Sequence, residues 1–117
     1  MTTTAELLEE YRQNAIRHAT ASKTGKYKVV NHAHDELARI SHHFRRGGTE
    51  LQQTLLTLLD DVEPPVRLWA ATHALEFAPD KSLPVLRALA AGSPGIVRHD
   101  AEMTLVQWDK GELLPLP

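Results

Sequence analysis

The stretch PVRLWAATHALEF, residues 65–77, sets a tryptophan and a histidine on one side of an otherwise apolar helical segment. At about 100° per residue, Val66, Ala70, Ala74 and Phe77 share one arc and Leu68, Ala71 and Leu75 another. The remaining sector holds Trp69, Thr72, His73 and Glu76. His73 and Glu76 stand at i and i+3, where a histidine and a carboxylate can work as an acid/base pair. A tryptophan in a polar strip is equally the composition of a contact anchor at a protein interface.

Seven histidines in 117 residues raise the question of metal. In a hairpin turning at Gly25, His18 and His32 stand at equal heights (25 − 18 and 32 − 25 are both 7). With Asp35 they make a His/His/Asp set whose ligand chemistry suits zinc or nickel. Against this, His32 and His34 point about 160° apart on a helix, so only one of them faces the neighbouring helix. His42 and His43 diverge in a related way, and no HExxH spacing exists. The preferred reading is a buried polar network of Asn31 and Asp35 with His18 or His34, and no cofactor.

Arg67 falls in the apolar arc, an expensive place for a charge without a partner. Asp60 and Asp61 in the preceding turn and Glu102 on the sixth helix are its expected partners, making a structural clamp between repeats. Arg98 and Glu102, at i and i+4, form a second expected pair.

These residues belong to a chain that fits one domain with one core, and 42% hydrophobic residues argue against wholesale disorder. A net charge of −2 supplies no basic patch for nucleic acid or an anionic membrane. The absence of cysteine removes disulfides, thiolate zinc sites and thiol nucleophiles. The N-terminus, MTTTAELLEEYRQ, turns acidic and amphipathic at once, unlike a signal peptide, and no run reaches the roughly 18 to 20 apolar residues of a membrane span. A cytoplasmic address is expected.

The positioning elements read as six helices and no strand. Thr4 caps the first, with Leu7, Leu8, Tyr11, Ala15 and Ala19 at helical spacing. After SKTGK, a second stripe of Tyr27, Val30, Ala33, Leu37, Ile40 and Phe44 runs to Gly47 and Gly48, predicting an antiparallel hairpin over residues 1–48. Thr49 caps ELQQTLLTLLD; a fourth helix follows the prolines and runs to about Phe77. The fifth is KSLPVLRALAA, with Pro84 tolerable only in its first turn, and the sixth spans about Ile96 to Asp109. The tail, residues 111–117, is expected to pack back over the end of the stack.

Within residues 49–110 an internal repeat is visible. Leu55 aligns with Leu86, Leu58 with Leu89, Val66 with Val97, Arg67 with Arg98 and Ala70 with Ala101, always 31 apart (86 − 55, 97 − 66). A constant offset marks two copies of one helix-turn-helix unit, each needing the other to bury its apolar face. Leucine spacing, turn aspartate and the Val-Arg pair resemble HEAT-type repeats. By the same offset, Asp100, Met103, Thr104 and Gln107 make a strip beside that of Trp69 and His73.

The segments VRLWAATHALEFAPDKSLPVL and DAEMTLVQWDKGEL, with ELLEEYRQNA and YKVVNHAHDEL before them, resemble a small bacterial family catalogued as domain of unknown function two-thousand-and-nineteen. The resemblance spans nearly the whole chain and implies a compact HEAT-like helical fold. It carries no activity.

The sequence therefore predicts an all-α, HEAT/armadillo-like α-α superhelix: an N-terminal hairpin and two repeats. Its expected function is non-catalytic binding of a protein partner, as an adaptor or inhibitor, by a monomer or homodimer. Trp69 and His73 are the expected anchors, with Glu76, Asp100, Thr104 and Gln107 around them. A metal or small-molecule site, or an enzyme using His73 and Glu76, are the alternatives. In a competing arrangement the hairpin folds over the strip and makes Trp69 and His73 part of the core.

Overall fold

In a computed structural model covering residues 1–117, helix α1 (Thr4–Lys23) opens on a reciprocal cap. The Thr3 hydroxyl accepts from the Glu6 N–H at 3.1 Å, and the Glu6 carboxylate accepts from the Thr3 N–H at 3.2 Å. Such a cap contributes about 1 kcal/mol and falls one residue before the expected Thr4, because Glu6 reaches back three residues. Gly25, at φ 69°, makes the turn into α2 (Tyr27–Arg46). Glu10 and Arg39, 15 and 14 residues from Gly25 (25 − 10, 39 − 25), pair at 3.1 Å. The hairpin is therefore antiparallel.

The leucine-rich run is shorter as an α-helix than its pattern suggests. Helix α3 (Thr49–Leu56) tightens into a 3-10 turn over Thr57–Asp60, and Gly48 rather than Thr49 occupies the cap position. Helix α4 is Pro64–Ala74, with both prolines in its first turn, where their missing N–H groups cost nothing. Helix α5 (Pro79–Gly92) starts two residues before the expected Lys81, which puts Pro84 beyond its first turn and leaves the Asp80 carbonyl without its helical donor. Helix α6 is Gly95–Asp109. Six helices and no strand agree with the periodicity; no helix is long and apolar enough to cross a membrane.

Helix α4 is the hub, touching each of the other five. Ala70, Ala71 and Ala74 are sealed, and their small side chains let neighbours pack close. Around them lie Tyr11 and Ala15 of α1, Leu37, Ile40 and Phe44 of α2, Leu55 of α3, Leu86 of α5 and Ala101 of α6. Each large side chain so buried contributes about 1.5–3 kcal/mol. Of the residues related by 31 positions the four apolar pairs share their burial, Leu55 and Leu86, Leu58 and Leu89, Val66 and Val97, Ala70 and Ala101 all being interior, while Arg67 is half-buried and Arg98 exposed. After α6 the tail folds back, with Leu113 against the core and the Pro117 carbonyl accepting from Arg45 Nη2.

Candidate functional site

The hairpin does lie across the polar strip of α4, and it divides that strip in three. His73 is 3% exposed, and its Nδ1 lies 2.7 Å from the Tyr11 hydroxyl in a shared hydrogen bond. Burial first, then the charges of Arg45 and His34, push its pKa down to about 3, so the ring is neutral. The expected anchor His73 is thus a core residue, because α1 covers the face on which it stands.

Glu76 is claimed by α2. Its Oε2 accepts from Arg45 Nη1 at 2.7 Å and its Oε1 pairs with Arg46 at 3.2 Å. Its carboxylate is held by these arginines rather than by His73, so the two do not form the acid/base pair their spacing allows. It also stands outside the cleft where it was expected to surround a partner.

The third part remains open. Between the hairpin and the α4–α6 pair runs a cleft of about 280 Å³. Trp69, Leu68 and Thr72 form its α4 wall, Asp100, Met103, Thr104 and Gln107 its α6 wall, and His18 and His34 its hairpin side. Four of the six expected binding residues, Trp69, Asp100, Thr104 and Gln107, are therefore brought together. Trp69 is half-buried, with the His18 ring centroid at 4.9 Å and the His34 centroid at 5.7 Å, both edge-on. Burial lowers the pKa of His18 and raises that of Asp100, which His99 opposes.

The metal-ligand set does not assemble. His18 faces Trp69, His32 lines a separate groove with Glu10 and Glu36, and Asp35 is 83% exposed. His34, two residues further along the same helix, is the one that joins His18. Nor is there a buried network of Asn31 and Asp35, since both are exposed; the buried amide is Asn14, which donates to the Glu10 carbonyl at 2.9 Å.

The clamp is also rearranged. Arg67 is half-buried and donates from Nη1 to the Asp61 backbone carbonyl at 2.7 Å. The Asp61 carboxylate belongs to Arg12, which donates Nε at 2.6 Å and Nη2 at 3.2 Å, and this holds Asp61 below its ordinary pKa. Asp60 is exposed and takes no part. Glu102 pairs with Arg98 at 2.9 Å, as the i, i+4 spacing predicts. The contact therefore ties α1 to the turn before α4.

Two residues central to this arrangement escaped the sequence reading. Tyr11 counted only as part of an apolar stripe, although a buried phenol needs a polar partner. Arg45 lies at i+8 from Leu37, on the edge of the apolar face of α2, and that position was the available signal.

Fold and cleft define the class: an all-helical, six-helix domain whose N-terminal hairpin packs on α4 and α6. The crystal structure of the protein RPA1889 from Rhodopseudomonas palustris CGA009 is similar, with a TM-score of 0.84 and 25% sequence identity over 93% of this chain and 90% of that one. No protein-family model matches the chain, and no curated protein matches it.

Proposed function

We propose that the protein is a non-catalytic binding module that seats a protein partner in the cleft between its hairpin and α6. The supporting observation is the division of the strip. The one acid/base pair its spacing allowed is broken up, His73 sealed against Tyr11 and Glu76 held by Arg45 and Arg46, while Trp69, Asp100, Thr104 and Gln107 open onto one cleft. A half-buried tryptophan among polar groups in an open cleft suits an interface anchor.

On this reading α3 to α6 are two HEAT-like repeats of a short α-α superhelix, supported by the matched burial at an offset of 31 residues. The chain is read as a member of the family it resembles, on the stretches VRLWAATHALEFAPDKSLPVL and DAEMTLVQWDKGEL that carry the resemblance. The same reading makes it a cytoplasmic adaptor or inhibitor, monomeric or homodimeric, with no nucleic acid, membrane or cofactor as ligand. Its net charge of −2 supports the first two exclusions.

Thr104→Arg tests this, because it fills the cleft from a helix surface. A partner identified by affinity capture should bind the wild-type protein directly in calorimetry and lose that binding to the variant, whose melting curve stays unchanged. Equal binding by the two proteins would overturn the proposal.

A further inference from the structure

The acidic residues of this fold obey a rule with one exception. Five are withdrawn from full exposure: Glu10, Glu36, Asp61, Glu76 and Asp100. Glu10 and Glu36 share Arg39, Asp61 has Arg12, and Glu76 has Arg45 and Arg46. Asp100 alone receives neither a cation nor a hydrogen-bond donor at its carboxylate, and no lysine or arginine lines the cleft into which it faces. A carboxylate partly removed from water without compensation is an unfavourable arrangement in the unliganded protein, and burial raises its pKa accordingly.

Its neighbours are biased the same way. Thr72 and Thr104 each donate their hydroxyl hydrogen to the carbonyl four residues back, of Leu68 and Asp100, at 2.8 Å. What they offer a ligand is therefore oxygen lone pairs. Trp69 and Met103 supply an apolar wall beside these acceptors. Several separated acceptors against an aromatic wall match a planar fork of donors better than a point charge.

We infer that the cleft receives an arginine side chain of the protein partner, its guanidinium pairing with Asp100 and the threonine oxygens and its stem lying against Trp69 and Met103. This rests on the reading of the cleft as a protein-binding site. His18 and His34 on the hairpin side, and His99 beside Asp100, are the titratable groups around the seat.

The test is an NMR titration with capped glycine-rich peptides carrying one central arginine, lysine or citrulline, the last a neutral copy of arginine in shape. The arginine peptide should shift the Thr104 and Gln107 amides and the Trp69 indole N–H, with citrulline weaker by about tenfold or more, as loss of a charged hydrogen bond implies. Asp100→Asn should weaken arginine binding to a similar degree while folding normally. Equal binding of citrulline or lysine, an unaffected Asp100→Asn, or no shift at the cleft with any peptide would each overturn the assignment. Such a failure leaves the Thr104→Arg result with a whole partner protein standing, so the two readings fail separately.

Discussion

Tyr11 and His73, separated by 62 residues in sequence, meet at 2.7 Å in the interior and join the N-terminal hairpin to the hub helix. Neither side chain has another hydrogen-bonding partner in the protein, so each satisfies the other. Tyr11→Phe should destabilise the fold by about 1–3 kcal/mol, the cost of stranding a buried polar group. Tyr11→Phe combined with His73→Phe should cost less than the sum of the single changes. Urea denaturation of the four proteins of this cycle provides the measurement.

The same histidine sets a pH dependence. Its pKa falls from an ordinary 6.5 to about 3 on folding, so below pH 6.5 the unfolded chain binds a proton that the folded chain refuses. Full stability is present above that value and is lost as pH falls toward the folded pKa, at up to about 1.4 kcal/mol per pH unit. Denaturation midpoints should drop between pH 7 and pH 5. His73→Gln should flatten that slope, leaving the smaller contribution of His18, which shifts in the same direction.

Glu76 bridges two arginines of unequal kind. Arg45 is only 1% exposed at its side chain and Arg46 60%. Glu76→Ala leaves the buried Arg45 without its carboxylate and with only the Pro117 carbonyl as acceptor, and should cost about 3 kcal/mol, while Arg46→Ala should stay within about 1 kcal/mol. A similar cost for the two variants, measured by denaturation, would mean that Arg45 finds its charge balance elsewhere.

Trp69 serves both packing and the cleft, so truncation reports on both. Packed between His18, His34 and the core, it should lose about 2–4 kcal/mol of stability as Trp69→Ala. Thermal melts of Trp69→Ala beside Thr104→Arg should show a drop for the first alone.

Helix number, the hairpin and most of the core were legible in the sequence because apolar spacing of 3.6 and glycine punctuation are local signals. So was Arg98–Glu102, a pair one helical turn apart. Pairings across the chain were not legible: Arg12 with Asp61, Arg45 with Glu76 and Tyr11 with His73 depend on how the hairpin rolls over α4. That roll also decided between His32 and His34, where a shift of two residues turns a side chain to nearly the opposite face. Four cleft residues were found from the wheel of one helix and an offset. His73 and Glu76 lie on the same strip, and nothing on α4 itself says where α1 and α2 will cover it.

The alanine surface of α4 separates two kinds of change open to this protein in descent. Positions 70, 71 and 74 admit nothing larger without displacing a neighbouring helix, whereas Met103 and Gln107 at the cleft wall and Val106 beside them stand exposed and can be exchanged at little cost to folding. Lineages of this fold are therefore expected to keep their spine and rewrite their rim, acquiring new binding preferences by point substitution with no change of architecture.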